Sequence, residues 1–417
     1  MRITNLSITQ YRNYANIHSK RNFGQTIEYS MLSFNTNKKK LFLGLIDDNN
    51  NIHAAVLILV RSISTTVKEA IAPNGFLIDY ANFELVRTFT EELKKYLNKE
   101  HITYLITNPM FKYKVYNKKN ILIENNENIL YNLYNLDYKS IGYFSDFERY
   151  DIIIENNNSI NSLYNNFNRN TKRNINEELK MGITLHKANN QSDLEKAYKI
   201  FKKKTNKNLT YYQNLLNIYN SKDNKMEIFF AKLDPHKYLV KAQRQYELEC
   251  ARNEIISNKF NNKYGTIKEK LLNKKIDSDN KIEKLKQELN KALELNKEYT
   301  EPIIIGTCIV IKNNHEIYFL IDGYNDKFRS IHSTHILKWA IIKKYYSLGY
   351  RIFNLGEINK NYLNKDSKYH GQYIYKIGFG GNVVEYTPNL LLVINKPIYS
   401  LYSRLSNTKN IFKINKS

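Results

Sequence analysis

The sequence predicts a mixed α/β protein built from two similar subdomains, with a helical hairpin inserted in the second. Short apolar runs alternate with longer segments whose apolar residues recur at helical spacing, the pattern typical of layered α/β (α+β) domains. The same order of strands and helices occurs twice without obvious sequence identity. Between residues 238 and 299 this order is interrupted by a charged segment nearly free of Gly and Pro.

The first subdomain is expected over residues 1–148. Residues 38–62 carry two apolar runs separated by an Asp/Asn-rich turn, which predicts a β-hairpin. APNGFLIDY (72–80) is punctuated by Pro and Gly and predicts a loop that leads into a strand. Apolar residues at helical spacing predict a helix over 83–100, and ITYLITNP then returns as a strand.

The second subdomain is assigned to residues 149–237 and 300–417. RYDIIIEN predicts a strand, and the basic stretch that ends at Gly182 predicts a helix closed by a glycine C-cap. Two more helices and the strand KMEIFFAKL precede the insertion. After it come a hairpin (EPIIIGTCIVIKNNHEIYFLIDGYN), the helix STHILKWAIIKKYYSLGY and the strand RIFNLGEI.

The insertion, residues 238–299, predicts an antiparallel coiled-coil arm. In its second half one seam steps by three and four residues, with one polar member: Ile282, Leu285, Leu289, Ala292, Asn296 and Tyr299. The first half carries a less regular stripe of Leu248, Ala251 and Ile255. We expect the turn within 263–280, preferably at KIDSDN, and a seam separate from the core. The alternative is a charged, solvated helix pair without a partner role.

The composition indicates an anionic partner and a reducing compartment. The chain has 64 basic and 40 acidic side chains and a net charge of +24, which attracts nucleic acid, anionic lipid or diphosphate-bearing substrates. Two cysteines exclude a disulfide framework or a cysteine-rich zinc site. No signal-peptide core and no membrane-length apolar run is present. We therefore expect a soluble cytoplasmic protein that touches the inner membrane face at most peripherally.

Residues 371–386, GQYIYKIGFGGNVVEY, place Lys376 directly before a cluster of glycines. Phosphate-binding loops open a helix, whereas β-prone residues follow these glycines, so the stretch predicts a tight turn or bulge that needs positive φ. His332 and His335 lack a third ligand at suitable spacing, and no metal is expected. No GxSxG elbow or Cys–His pair indicates a side-chain nucleophile.

Two long segments of the C-terminal third follow one pattern almost element by element. Residues 317–358 contain a strand ending in Gly, an Arg before a helix that carries a Trp, and a further strand; residues 371–402 contain GFGG, VEY and a following KPIYSLY. This pattern resembles the FemABX family of tRNA-dependent peptidyltransferases that build peptidoglycan interpeptide bridges. The loop 72–80, the doubled subdomain and the inserted arm extend the resemblance to nearly the whole chain.

The resemblance implies two acetyltransferase-like (GNAT) halves and a coiled coil inserted in the second. It implies transfer of an amino acid from aminoacyl-tRNA to the stem-peptide amine of lipid II or UDP-MurNAc-pentapeptide, without a cofactor. Related family members are further partners to expect. The three basic residues of RNTKRNIN, Arg169, Lys172 and Arg173, share one helical face, and we assign them to tRNA binding. The alternative is that this face is solvated surface without a partner.

By the same resemblance, Lys376 matches the lysine before the family's glycine turn. It is our candidate for the positive group that stabilises the developing oxyanion; binding the terminal tRNA phosphates is the competing role. Lys207 falls where the family often has an arginine that binds diphosphate, and Tyr211 matches a substrate-contacting tyrosine. Tyr375 and Phe379, which flank Lys376, complete the substrate-binding set.

Some positions depart from the family pattern. Asn108 replaces the aspartate of a DP turn, and Asn354 and Glu357 replace Asp and Gly of DFGGI; the basic residue expected near position 35 is absent unless Lys38 serves. These departures leave open an inactive protein that binds tRNA or precursor. A GNAT-like acyltransferase that uses acyl-CoA is the other alternative, although no pyrophosphate-binding loop is found.

Overall fold

The computed structural model describes residues 1–145, 147, 149–188, 190–261, 265–313, 316–329, 331 and 333–405. The strands are β1 (Arg2–Asn5), β2 (Lys39–Ile46), β3 (Ile52–Ser62), β4 (Lys68–Ala72), β5 (Tyr104–Thr107), β6 (Lys114–Tyr116), β7 (Leu122–Asn125), β8 (Tyr138–Ser140), β9 (Tyr150–Glu155), β10 (Thr184–Ala188), β11 (Lys225–Leu233), β12 (Ile303–Lys312), β13 (Glu316–Tyr324), β14 (Ile352–Ile358), β15 (Asn382–Glu385) and β16 (Leu390–Val393). The α-helices are α1 (Ile8–Ile17), α2 (Ile27–Met31), α3 (Phe83–Lys99), α4 (Glu127–Asn135), α5 (Ile160–Asn165), α6 (Arg169–Lys180), α7 (Gln191–Phe201), α8 (Leu209–Ile218), α9 (Pro235–Asn261), α10 (Gly265–Glu298), α11 (Ser333–Ser347), α12 (His370–Ile377) and α13 (Lys396–Leu405).

Two mixed sheets carry the same topological unit, so the predicted doubling of an α/β subdomain is confirmed. In the first sheet β2, β3 and β4 are antiparallel, and β5 follows α3 to pair with β4 in parallel. In the second, β11, β12 and β13 are antiparallel, and β14 follows α11 to pair with β13 in parallel. A parallel pair requires a crossover connection, and a helix supplies it in both halves.

The two sheets exchange strands, which the expected boundary near residue 148 does not describe. The first sheet has the order β1-β2-β3-β4-β5-β16-β8, and the second β10-β11-β12-β13-β14-β9-β15-β6-β7. Thus β6 and β7 lie at the edge of the second sheet, while β16 inserts between β5 and β8 of the first. Because strand pairing between distant segments depends on tertiary contacts, the local sequence pattern does not reveal this exchange. Because β6, β7 and β16 each pair within these two sheets after crossing the expected boundary, they connect the two subdomains.

Helices cover each sheet because their apolar stripes match the sheet faces. In α3 the buried residues recur at helical spacing: Val86, Phe89, Leu93 and Leu97. The Asn82 side chain caps this helix by accepting a hydrogen bond from the Leu85 N–H. On the second sheet, α11 and α12 share a core cluster with β12–β14. Residues of α7 and α8 cluster with those of β11 and β12.

The inserted arm consists of α9 and α10, but its turn and its inner face differ from expectation. The preferred turn, KIDSDN, is wrong: residues 275–280 lie inside α10, and Ser278 is buried and donates to Glu249 of α9 at 2.9 Å. The connection between the helices, residues 262–264, lies outside the described residues. The seam predicted in α10 lies on its more buried side, whereas Leu248 and Ile255 of α9 are exposed.

The base of the arm belongs to the core, so the expectation of a separate seam is also wrong. Tyr238, Ala242 and Ala292 are buried in the core cluster of the second sheet, with Leu289 packed against it. The outer part instead has polar contacts between its helices, such as that of Asn253 with Asp279 at 2.7 Å.

We expect the outer arm to be dispensable for folding and its base to be required. Deleting residues 246–284 and joining the ends with a short Gly/Ser linker should leave a cooperative melt within a few degrees of the full chain. Deleting residues 242–296 also removes buried Ala242 and Ala292, so the protein with this longer deletion should melt at a far lower temperature or without cooperativity. Thermal melts of the two deletion variants, followed by circular dichroism, test this. Equal melting temperatures would show that the base of the arm contributes nothing to the core.

Candidate active site

The parallel strands β13 and β14 diverge after a short pairing. Their register joins Glu316 to Ile352, Ile317 to Phe353 and Tyr318 to Asn354, and no further pair is present in the described part of either strand. Both strands nevertheless continue, β13 to Tyr324 and β14 to Ile358. The bulge in β14 lies between Asn354 and Glu357, where Gly356 has φ of +83°. We call the unpaired stretch between the two strands beyond Tyr318 and Asn354 the opening; a Cβ on Gly356 would still lie 3.1 Å from the Phe319 carbonyl oxygen of β13.

Lys376 lies beside this opening. It belongs to the last turn of α12, a helix that the sequence analysis missed, and its side chain is only 9% exposed. Its Nζ donates to the Glu357 carbonyl oxygen at 2.8 Å. Burial lowers the pKa of Lys376 to about 8 and Lys338 acts in the same direction, while Asp322, Asp151 and Glu357 oppose the change. The ammonium group can therefore lose its proton close to neutral pH.

A buried ion pair lies next to Lys376. Lys338, on α11, is 2% exposed and donates to Asp322 of β13. The hydroxyl of Tyr375 also donates to Asp322, at 3.3 Å, and Lys204 Nζ lies 3.7 Å from the other carboxylate oxygen. Burial acts to raise the pKa of Asp322, but Lys338 and Lys204 outweigh it and the pKa falls to about 2.

Sequence reasoning missed Asp322 and Lys338. The signal was a single charged residue inside each of two apolar stretches, Asp322 in FLIDGY and Lys338 in HILKWAII. Two opposite charges in stretches that face the core predict a buried ion pair. Tyr375, one of the predicted substrate-binding residues, is held in this cluster by hydrogen bonds to Asp322 and to the Thr334 carbonyl oxygen at 3.1 Å.

Tyr211 and Lys207 lie near the same opening. Lys207 is exposed at the N-terminus of α8, with Nζ 5.5 Å from the centre of the Tyr211 ring. Burial raises the pKa of Tyr211 to about 12, and among its neighbours the Glu357 carboxylate adds to the rise. The residue whose carbonyl binds Lys376 therefore also neighbours Tyr211. Two segments thus come near Glu357: α8 with Tyr211 and the preceding Lys207, and α12 with Tyr375 and Lys376.

The departures at Asn108 and Asn354 have structural partners. The Asn354 side-chain NH2 donates to Asp151 at 2.9 Å, and its side-chain oxygen accepts from the Gly356 N–H at 2.8 Å. This position therefore uses both the donor and the acceptor of the amide. An aspartate there would face buried Asp151. Asn108, in the first subdomain, accepts from the Asn74 N–H at 2.8 Å and fixes the loop after β4 to the end of β5.

The glycine turn after Lys376 allows a close approach of α6 and β9. A Cβ on Gly378 would lie 2.3 Å from the Thr171 hydroxyl, and one on Gly381 would lie 2.8 Å from the Ile153 carbonyl oxygen. Phe379 within this turn is completely buried and packs on Phe167. Its side chain supports the turn and offers no surface to a substrate in this arrangement, unlike the contact that the sequence suggested.

We expect Gly380→Ala to destabilise the fold by about 1–3 kcal/mol. Gly380 has φ of +76°, which L side chains rarely adopt, and its Cβ would lie 2.8 Å from the Asn166 carbonyl oxygen. Gly371→Ala is the matched control, because no atom of the described residues lies within 4 Å of the added Cβ and the residue is helical. Chemical denaturation of both variants tests this; equal stabilities would contradict it.

The three predicted tRNA-binding residues lie on α6, whose N-terminal turn adjoins the glycine turn. Arg169 and Arg173 are exposed, and Arg173 has a long contact with Glu177 at 4.0 Å. Lys172 is partly buried and folds back to donate to the Asn165 carbonyl oxygen at 2.7 Å. The Asn168 N–H donates to the Gly378 carbonyl oxygen at 2.8 Å, which joins the basic helix to the turn.

A cleft between the two subdomains reaches Asn354 of β14. Its cavity of about 430 Å³ is bounded by residues 19–22, 79–81 and 110–112 of the first half and by Ile153, Glu316, Asn354 and Tyr386 of the second. Tyr386 donates to Asp151 at 3.2 Å, and Asp151 in turn influences Lys376. Burial and nearby Asp151 raise the pKa of Glu316 to about 7.

Neither a metal cluster nor a membrane-spanning helix occurs in the described part of the chain. No three His, Cys, Asp or Glu side chains of these residues could jointly hold a metal ion. His332, half of the histidine pair considered above, lies outside the described residues. No described helix is long and apolar enough to cross a bilayer.

Comparison with known proteins identifies the class of the protein. Aminoacyltransferase FemA of Staphylococcus epidermidis is 24% identical over 432 residues, covering 98% of this chain and all of the relative. FemA of Staphylococcus aureus is 23% identical and covers 98% of this chain and 99% of the relative. The crystal structure of FemX superposes with a TM-score of 0.73 at 18% identity, covering 96% of this chain and 99% of that one, which shows a common fold.

Together with the two-subdomain fold, these similarities define an aminoacyltransferase. The model of the FemAB family matches residues 6–407, and the chain belongs to this family. The family resemblance stated from the sequence, the mixed α/β fold with paired GNAT-like halves and the assignment as a transferase are thereby confirmed.

Proposed function

We propose that this protein moves an amino acid from aminoacyl-tRNA onto the stem-peptide amine of a peptidoglycan precursor, lipid II or UDP-MurNAc-pentapeptide, and so builds the interpeptide bridge. The observation that carries the proposal is Lys376, a buried amine beside the opening between β13 and β14. Its neighbour Asp151 contacts Asn354 and Tyr386, which line the inter-subdomain cleft. The net charge of +24 suits both a tRNA and a diphosphate. We assign the reaction to the cytoplasm, with peripheral contact at the inner membrane face when the acceptor is lipid-linked.

The reaction forms an amide and breaks an ester. The acceptor amine attacks the aminoacyl carbonyl carbon, the carbonyl oxygen becomes an oxyanion, and the tRNA ribose oxygen leaves and takes up a proton. Protonated Lys376 stabilises the oxyanion, a contribution of several kcal/mol in enzymes of known mechanism. Glu316 lines the cleft, and its pKa of about 7 suits a group that accepts the proton from the acceptor amine.

The other site residues hold the two substrates. Tyr211 and Tyr375 border the opening, and Lys207 contacts the diphosphate of the acceptor from the exposed side of Tyr211. Arg169, Lys172 and Arg173 contact the tRNA backbone, because their helix adjoins the turn that follows Lys376. Phe379 supports this turn from the core.

The test is incubation with UDP-MurNAc-pentapeptide or lipid II and a mixed pool of charged tRNA, with mass spectrometry of the acceptor. We expect an acceptor heavier by one amino acid residue, and no product with uncharged tRNA. Binding of both substrates without product would favour the inactive binding protein. Product with acyl-CoA in place of charged tRNA would favour the acyl-CoA-dependent enzyme.

Lys207→Ala should raise the KM for UDP-MurNAc-pentapeptide about tenfold and leave that for the free pentapeptide nearly unchanged. A charge-assisted hydrogen bond contributes about 1.5–3 kcal/mol, and lysine offers a point charge rather than the fork of arginine, so we expect the lower half of that range. Lys203→Ala is the control, since Lys203 is exposed nearby and paired with Asp326 at 2.6 Å. An equal loss for both acceptors would exclude a diphosphate contact.

A further inference from the structure

Arg21 is a buried cation at the boundary of the two subdomains. It lies in the loop between α1 and the residues leading to α2, and only 7% of it is exposed. Its Nη2 donates to the side-chain oxygen of Asn224, which precedes β11, and Asn224 donates to Glu28 of α2 at 2.8 Å. This chain of hydrogen bonds fixes the guanidinium between elements of both halves.

The rest of the guanidinium has no hydrogen-bond partner among the described residues. Its Nε and Nη1 are buried and form no hydrogen bond with any described residue. Burial lowers the pKa of Arg21, and the carboxylates of Glu28 and Asp223 only partly oppose the change. A buried charged donor without a partner costs several kcal/mol, so such a group points to an acceptor supplied from outside the chain.

Arg21 also lines the inter-subdomain cavity, opposite Asn354 and Tyr386. A ligand that reaches these residues lies close to Asp151, which neighbours Lys376. The cavity wall carries both signs of charge: Lys20, Arg21, Lys112, Asp79, Glu124, Glu155 and Glu316. Lys112 is already paired with Glu155 at 2.7 Å.

We propose that Arg21 binds the C-terminal carboxylate of the acceptor peptide and thereby anchors that peptide across the subdomain boundary. The inference rests on the proposed function for the identity of the acceptor. The diphosphate of the acceptor is assigned above to Lys207, whereas a peptide that carries both carboxylates and an amine matches a cavity wall of mixed charge. Because Nε and Nη1 expose no surface in this arrangement, the loop 18–22 must shift to admit the ligand.

Equilibrium binding by calorimetry tests the anchor with three probes: UDP-MurNAc-pentapeptide, the free pentapeptide and its C-terminal carboxamide. In the wild-type protein the carboxamide should bind about 10- to 100-fold more weakly than the free pentapeptide. Arg21→Met should weaken both carboxylate forms by a similar factor and leave the carboxamide unchanged, and Arg21→Lys should recover part of the loss. Arg12→Met, at an exposed arginine of α1, is the matched control.

Two results would overturn the assignment. If Arg21→Met weakens the UDP-linked acceptor but not the free pentapeptide, the group binds phosphate. If it weakens the pentapeptide and the carboxamide equally, or neither, Arg21 is a structural link between the subdomains. Melting temperatures of Arg21→Met, Arg21→Lys and Arg12→Met establish that the compared proteins are folded.

A probe independent of the proposed function is N-acetyl-D-alanine, compared with its amide. At millimolar concentration the carboxylate should raise the melting temperature of the wild-type protein and not that of Arg21→Met, and the amide should raise neither. Absence of transfer to any muropeptide would then refute the proposed function alone. Absence of the carboxylate effect would refute the Arg21 site alone.

Discussion

Lys376→Met should lower turnover at least about 100-fold while binding of the acceptor changes little. The buried ammonium of Lys376 donates to the Glu357 carbonyl oxygen beside the opening between β13 and β14. An oxyanion-stabilising donor is typically worth this factor, and methionine keeps the volume but removes the charge. Single-turnover rates at saturating acceptor measure the effect, with exposed Lys365→Met as the control.

The pH dependence provides a second measurement for this variant. The pKa of Lys376 is about 8, so the wild-type amine is charged below that value and loses its charge as pH rises through it. The ratio of wild-type to Lys376→Met rates should therefore shrink above pH 8, and titration of the acceptor amine cancels in this ratio. If turnover survives and only the KM for charged tRNA rises, Lys376 binds tRNA phosphate and does not stabilise the oxyanion.

Asp322→Asn should destabilise the protein by about 3–5 kcal/mol. The substitution leaves Lys338, which is 2% exposed, without its carboxylate partner, and an unpaired buried charge is far costlier than a lost exposed pair. The double variant Asp322→Leu with Lys338→Met should regain most of this loss, because the buried Lys338 ammonium is removed together with its partner. Urea denaturation of Asp322→Asn and of the double variant measures the difference between their free energies of unfolding.

The matched control is Asp326→Asn, which removes the exposed pair with Lys203 and should leave the melt unchanged. The pKa of Asp322 is about 2, below its ordinary value of 3.8, so its contribution to stability is complete above pH 4 and is lost as pH falls towards 2. Equal stabilities of Asp322→Asn and Asp326→Asn would show that the buried pair is not a stabilising contact.

The local elements of this protein were predictable because each depends on contacts within a short segment. The hairpin of β2 and β3, the helix α3 and the unit β12–β13–α11–β14 follow from periodicity and turn residues. The glycines after Lys376 correctly indicated a turn rather than a phosphate loop, since β15 follows them. The helix α12 was missed because glycine is unfavourable inside a helix and tyrosine favours strands, so HGQYIYKI carries little local signal for a helix.

The amino-acid sequence by itself determined the elements, the doubling of the subdomain and the family, because these are written in local patterns and in motifs of contiguous residues. Only the tertiary structure decided which strands exchange between the sheets and how the base of the arm joins the core. It also brought Asp322, Lys338 and Lys376 together and left Arg21 buried between the halves. Pairing across hundreds of residues and the burial of single charges depend on the free energy of the whole fold, in which no short segment reveals its partner.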